Sequence, residues 1–346
     1  MRKSIFDPVD AGGLMTQNRI MVAATWHAMS DEEGCVTPEI VEIYRELAKG
    51  GVGLIDFEST GVRDLDGRAQ GVVRLDTDER IPEFMRLVDV VHEENVPIIV
   101  QLALNKFIRQ DENDRLWDVP VTLITGEEIE RLKADFIHAA VRANKAGFDG
   151  IQIHAAHGTL IGNFLSPEIN LRKDAYGGSL ENRARIVTDI LHGIKDVCGE
   201  EYPVSVKINS TDRGHEYGGF ELEDCVKTCM LLEQEGMGAV EVSINGPSEG
   251  GIRAGRNEAF LAPYAKAVRE HVSVPVIMTG GLRSMETMNR LLDEGVCDMF
   301  SLSRPLIREP GLVNRWKSGD TDPAKCVSCN RCFGMEGHTC ALGVIR

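Results

Sequence analysis

Short apolar, β-branched runs alternate along this chain with longer stretches whose apolar residues recur every three to four positions. The runs fall at 20–24, 53–58, 98–102, 150–154, 204–208, 239–243, 276–279 and 299–302. They are too short to cross a membrane and too uniformly apolar for half-exposed strands, so they predict buried parallel strands. Between them, Ile81, Phe84, Met85, Val88 and Val91 form one helical stripe, and Ile129, Leu132, Phe136, Ala140 and Ala143 a second. Ile186, Ile190, Ile194 and Val197 make a third, and Leu222, Cys225, Val226, Cys229 and Leu232 a fourth. Thr125 with Glu128 predicts a capping box, and Gly147, Gly236 and Gly295 stand where helix C-caps belong.

Eight strand–helix units predict an α/β fold, a single (β/α)8 TIM barrel. An open doubly wound sheet is the alternative, but no strand here is followed by G-x-G-x-x-G. The barrel is expected over 1–318. Residues 319–346 form a short C-terminal Cys-rich extension, entered through a linker at 319–325.

Composition narrows the function classes. Of 346 residues, 42% are hydrophobic, enough for a large core. Acids outnumber bases 54 to 38, giving a formal charge of −16, which disfavours nucleic acid and anionic membranes as partners. The N-terminus MRKSIFDPVD carries no apolar signal region, and nine cysteines in an unexported chain imply a reducing compartment. A cytoplasmic location is therefore expected.

Chemistry in such a barrel belongs at the C-terminal strand ends. The fourth strand runs into His154-Ala155-Ala156-His157, two imidazoles able to donate to a carbonyl or ligate metal; a pair of satisfied core histidines is the plain alternative. Lys207, inside the apolar fifth run, needs an anion, either a flavin or phosphate or a barrel carboxylate. Gln101 ends the third strand, where its amide can both donate and accept. Gly280-Gly281 after strand seven and Ser303-Arg304 after strand eight suit a phosphate; an ordinary tight turn is the other reading of the glycines.

The segment from His154 to Arg185, HAAHGTLIGNFLSPEINLRKDAYGGSLENRAR, resembles the long signature of the Old Yellow Enzyme family. The resemblance extends over nearly the whole chain, from Asn18-Arg19-Ile20 to Ser303-Arg304-Pro305-Leu306. It implies an FMN-dependent NAD(P)H oxidoreductase. NADH or NADPH would reduce FMN, and hydride from flavin N5 would reduce an activated alkene, an α,β-unsaturated carbonyl or similar electrophilic small molecule. By the same resemblance His154 and His157 hydrogen-bond the substrate's electron-withdrawing group. Gln101 and Lys207 contact the flavin's pyrimidine side, Ala24, Thr25 and Ser59 line the flavin, and Gly280, Gly281, Ser303 and Arg304 hold its phosphate. Thr159 stands where the family usually has a tyrosine proton donor, and His27 is either a substitute acid or a surface loop residue. Relatives are often dimers or tetramers, so a homo-oligomer is expected.

In the tail, Cys326, Cys329 and Cys332 are followed by Cys340 after seven residues. C-x2-C-x2-C plus a further cysteine is a spacing that can wrap a [4Fe–4S] cluster. Tetrahedral zinc, with His338 as a spare ligand, and thiols carrying nothing are the competing readings. The motif resembles that of trimethylamine dehydrogenase and 2,4-dienoyl-CoA reductase, which continue into a second half binding FAD or dinucleotide. A redox protein partner or another subunit is therefore expected to exchange electrons with a cluster here. The alternative function is an amine-dehydrogenase-like or electron-transfer flavoprotein passing electrons through that cluster to a partner.

Overall fold

A computed structural model describes residues 3–64, 71–110, 116–212, 219–246 and 248–346. Eight parallel strands close into a barrel: β1 (Ile20–Val22), β2 (Leu54–Gly61), β3 (Ile98–Ala103), β4 (Gly150–Ala155), β5 (Val204–Asn209), β6 (Ala239–Ser243), β7 (Val276–Met278) and β8 (Met299–Leu302). Each pairs with its neighbour in sequence, and β8 returns to β1 through Ser301 opposite Met21. The (β/α)8 expectation holds. The strands are almost wholly buried, which is why they read as apolar runs rather than alternating ones.

The helices pack outside. They include α1 (Pro38–Lys49), α2 (Ile81–His92), α3 (Gly126–Ala146), the short α4 (Leu160–Leu165), α5 (Leu180–Cys198), α6 (Leu222–Gln234), α7 (Ala262–Arg269), α8 (Met285–Asp293), α9 (Arg304–Arg308) and α10 (Leu312–Lys317). The Thr125–Glu128 capping box forms at the start of α3. Gly147, Gly236 and Gly295 take φ of +93°, +95° and +67°, the left-handed conformation that ends a helix cheaply only at glycine. Two stripes run one position too far: Met85 and Val197 are 45% and 55% exposed, each lying at the rim of its helix's buried face.

The two ends of the barrel differ. At the N-terminal end, a hairpin pairing Val9–Asp10 with Met15–Thr16 brings Ala11 and Leu14 against Met21, Leu54, Ile99, Ala239, Ile277 and Met299. Gly12 in its turn passes so close to Gly238 that an added Cβ would stand 2.3 Å from the carbonyl oxygen. That end is plugged with apolar side chains. At the other end, the β2–β3 register slips between Phe57 and Thr60, a bulge that turns Ser59 to the barrel mouth. There the strands open into a cavity.

Candidate active site

A cavity of about 250 Å³ lies at the C-terminal strand ends. Ala24, Thr25, Ser59, Gln101, His154, His157, Lys207, Gly280, Gly281, Ser303 and Arg304 all line it, although they span most of the chain. The closed barrel brings them together because each lies at or just beyond the C-terminal end of a barrel strand.

His154 and His157 meet edge to face, ring centroids 4.9 Å apart. The Ala156 N–H donates to His154 Nδ1 at 3.3 Å, which leaves the proton on Nε2. His157 Nε2 is 2.7 Å from Ser243 Oγ, and its backbone N–H donates to Asn209 Oδ1 at 3.1 Å. Its φ of +58° is a strained backbone choice, made where the chain must turn both rings into the mouth. Burial, then the neighbouring His157 and Lys207, hold His154 well below the usual imidazole range. Burial and Lys207 lower His157 to about 3. Both rings are therefore neutral at ordinary pH, suited to donating a hydrogen bond to an oxygen that gains charge.

Lys207 meets a carboxylate of the barrel: its Nζ lies 3.0 Å from Glu241 Oε1, its register partner on β6. It also lines the cavity, so its charge is shared between that pair and whatever binds above. Gln101 Nε2 donates to Gln152 Oε1 at 2.6 Å, and Gln152 Nε2 to Glu241 Oε2 at 3.1 Å. These polar residues form one connected floor.

Opposite, Gly280 and Gly281 have φ of +100° and +75°. A Cβ on Gly280 would stand 2.8 Å from Leu261 Cγ, and one on Gly281 2.8 Å from Phe260 Cδ1. Only glycine keeps that wall open. Thr25 Oγ1 donates to Ser303 Oγ at 2.8 Å, tying the β1 and β8 ends together. Arg304 is less free than a phosphate clamp would be. Its Nη1 already donates to Glu249 O at 2.8 Å and to Asn330 Oδ1, so a phosphate would meet its remaining N–H groups.

Two expectations change here. His27 is neither at the surface nor in the cavity wall. It is 5% exposed, its backbone N–H donates to Glu58 Oε2 at 3.2 Å, and its Nδ1 lies 3.3 Å from Gly337 O. Its ring packs against Tyr44, and burial lowers its pKa to about 4, so it is removed from acid duty at this site. Thr159 is the N-cap of α4. Its hydroxyl is shared between His154 O and Ala156 O, both at 2.9 Å, which leaves no proton to give a substrate.

Several wall residues carried no signal in the sequence, namely Trp26, Ser243, Ser248, Arg283, Ser301 and Phe333, and His338 was marked only as a spare metal ligand. Phe333 and His338, with Cys332, belong to the tail, which folds back over the barrel mouth. His338 Nδ1 is 2.6 Å from Trp26 O, and its ring stands edge-on to both Trp26 and Phe333. Arg283 links the same wall to the cysteines. Its Nε donates to Cys326 O at 3.1 Å and its Nη2 to Ser328 Oγ at 2.5 Å.

Cys326, Cys329, Cys332 and Cys340 all line a second, small cavity, and Cys332 lines the main one as well. Cys340 Sγ is 3.5 Å from Arg308 Nη1, and Cys326 Sγ 3.9 Å from Arg283 Nη2. Among the described residues, no three of His, Cys, Asp or Glu are already gathered around a point that would hold a metal ion. Of the remaining cysteines, Cys225, Cys229 and Cys297 are buried in the core, whereas Cys35 receives an Arg80 N–H at 2.7 Å.

The residues present fit a flavin mononucleotide. Ser301 Oγ is buried in the cavity wall without a hydrogen-bond partner, Lys207 and Gln101 offer polar groups that would meet a polar heterocycle, and the glycine wall would admit a phosphate.

Fold and cavity together define a (β/α)8 barrel with a polar, glycine-walled cavity at its strand ends. The chain belongs to the NADH:flavin oxidoreductase / NADH oxidase family, whose model matches residues 4–322. It is 33% identical over 350 residues to the NADH oxidase of Thermoanaerobacter brockii, covering 96% of this chain and 54% of that protein. It is 32% identical over 305 residues to the NADPH dehydrogenase of Listeria monocytogenes serotype 4b (strain CLIP80459), covering 85% of this chain and 88% of that one. Among solved structures, 2-naphthoyl-CoA reductase in complex with 2-naphthoyl-CoA superposes with a TM-score of 0.84 at 26% identity, over 96% of this chain and 54% of that one. The chain thus spans about half the length of the NADH oxidase and of the 2-naphthoyl-CoA reductase. Among the described residues, no helix is long and apolar enough to cross a membrane.

Proposed function

We propose that this chain is an FMN-dependent oxidoreductase that draws hydride from NADH or NADPH and reduces an activated alkene, such as an α,β-unsaturated carbonyl compound. The observation that carries the reading is the pair of neutral, buried histidines beside Lys207 at the cavity wall. A bound flavin supplies the hydride chemistry. The chain's own residues bind and orient. Lys207 and Gln101 meet the heterocycle, Gly280, Gly281, Ser303 and Arg304 receive the phosphate, and the carbonyl oxygen takes hydrogen bonds from His154 and His157 as it gains charge. The test is the absorbance spectrum of purified protein and its anaerobic bleaching by NADH or NADPH, followed by recovery on adding an enone. Flavin bands that bleach and recover support the reading. Protein that neither carries nor takes up FMN sinks it.

A second reading concerns the tail. Four thiols in one cavity, faced by Arg283 and Arg308, are the donor set and the electrostatic setting of a [4Fe–4S] cluster, whose corners stand farther apart than the ligands of a single ion. Cys332, in the walls of both cavities, would put such a cluster beside the flavin. This favours exchange of electrons with a redox partner or another subunit. Iron and zinc analysis of anaerobically purified protein decides: about four irons per chain support it, and zinc or no metal removes it.

A further inference from the structure

Barrel interiors of this kind are filled mainly by bulky branched side chains. Here the lower layer is (Leu54, Ile99, Ala239, Ile277), but the layer immediately above is not. Two residues further along the same strands stand Asp56, Gln101 and Glu241, and the neighbouring strands add Gln152 and Lys207. All five are almost fully buried, with Asp56 and Glu241 at 0% exposure and Lys207 at 4%.

Three of the five can carry charge, and they do not balance. Two carboxyl groups face one ammonium. Glu241 is the better matched one: Lys207 Nζ stands 3.0 Å from Oε1 as an ion pair without hydrogen-bond alignment, and Gln152 Nε2 donates to Oε2 at 3.1 Å. Neither oxygen of Asp56 makes a well-aligned hydrogen bond, and the Ala24 N–H is the one donor directed at the carboxyl. A second carboxylate buried here without a partner would cost several kcal/mol, whereas a protonated carboxyl would not.

We propose that Asp56 is carried as a neutral acid, so that the Asp56–Glu241 pair holds one negative charge against Lys207, and that this stored proton sets the reduction potential of the flavin above. The proposal rests on the flavin reading given above. Asp56 is a positioning residue: it lies beneath the cavity wall and acts through Glu241 and Lys207. The groups facing it act in both directions, and those that raise it prevail. Burial raises its pKa well above the ordinary value, the charge of Glu241 adds to the rise, and Lys207 on β5 with the Ala24 N–H just beyond β1 offset it only in part. Tyr44 on α1 also faces it, its own pKa raised by burial, and Glu58 stands two residues on in the same strand. If Asp56 gave up its proton, Lys207 would be held by two carboxylates and the flavin would lose the share of its charge that favours reduction by NAD(P)H.

The test is Asp56→Asn, which keeps the shape and fixes the group as neutral, with Asp56→Leu as the second variant if the amide is not tolerated. The first readout is stability between pH 5 and pH 8. Asp56 in the unfolded chain ionises near its ordinary pKa, so the wild-type folding constant should fall relative to the variant by up to about tenfold per pH unit. Parallel stability curves would overturn the stored proton. The second readout is the midpoint potential of bound flavin at pH 7. Wild type and Asp56→Asn should coincide, while Asp56→Asn combined with Glu241→Gln, which removes the whole negative charge, should shift the potential upward. A single Asp56→Asn that shifts it as far as the pair does would show that Asp56 is charged and would overturn the proposal. Protein that binds no flavin would instead sink the flavin reading and the potential coupling, while the stability comparison still decides the proton.

Discussion

The cavity has two walls of different origin. One is built by strand ends: it places Gln101, His154 and Lys207 at the mouth of a closed sheet by strand register, and His157 just beyond β4 by hydrogen bonds to Asn209 and Ser243. The other is built by the tail, and places Cys332, Phe333 and His338 there through hydrogen bonds and ring contacts, without a strand. On the proposed reading the strand wall carries the reacting groups, because a barrel fixes positions to within a few tenths of an ångström, as catalysis needs. The tail wall covers and adjoins. Its side chains reach the cavity from short turns that contain left-handed residues such as Asn330 and His338. Rigidity and proximity are thus divided between two parts of one site.

Breaking the strand wall should have the largest effect. His154→Ala or His157→Ala is expected to lower kcat/KM for an enone by about 10²–10³-fold, with flavin absorbance retained. Equal loss of flavin would mean that the rings hold the fold rather than the substrate. Because both imidazoles are neutral far into the acid range, neither should contribute an inflection to the pH–rate profile between pH 5 and pH 8.

The joint between the walls gives the next effect. Glu58 at the β2 end accepts from the His27 N–H, and His27 reaches Gly337 of the tail. Burial raises the Glu58 carboxyl from 4.5 to about 8, partly offset by the His27 N–H. The folded chain therefore holds this proton more tightly than the unfolded one. Its stabilising share is complete below about pH 4.5 and is lost as pH rises toward 8, by up to about 1.4 kcal/mol per pH unit. Glu58→Gln should accordingly gain stability over wild type across that window, as thermal unfolding at several pH values would show.

Gly280→Ala sharpens the comparison on the phosphate side. A positive φ and a Cβ 2.8 Å from Leu261 should weaken FMN binding by about tenfold, equivalent to about 1.4 kcal/mol, measured by flavin fluorescence titration. The smallest effect is expected at the tail. Phe333→Ala should change kcat/KM by about threefold, the loss of one edge-on aromatic contact. If Phe333→Ala matched the histidine variants, the tail would be part of the reacting site rather than its cover.

How much was legible follows the same division. The strands were readable because burial on both faces leaves an apolar run, and their order forced the barrel. The strand-end site was readable with them, since position in the fold marks which His, Lys, Gln and Gly can meet. Trp26 and Arg283 were not, because loop side chains choose their direction by what they pack on. His27 was misplaced for a related reason: two residues beyond Thr25 the chain turns, and the ring follows Tyr44 and Gly337 instead of the cavity.

The sequence by itself determined the barrel, its family, and the strand-end set from Gln101 to Arg304. These depend on periodicity and on residue types at fixed places along each strand, which are local properties. Only the tertiary structure decided that the tail roofs the cavity, that Thr159 has no proton to spare, and that Asp56 faces Glu241 and Lys207 across the barrel. Those facts depend on which groups meet across long stretches of chain and on how many charges share one closed space, and no local pattern encodes either.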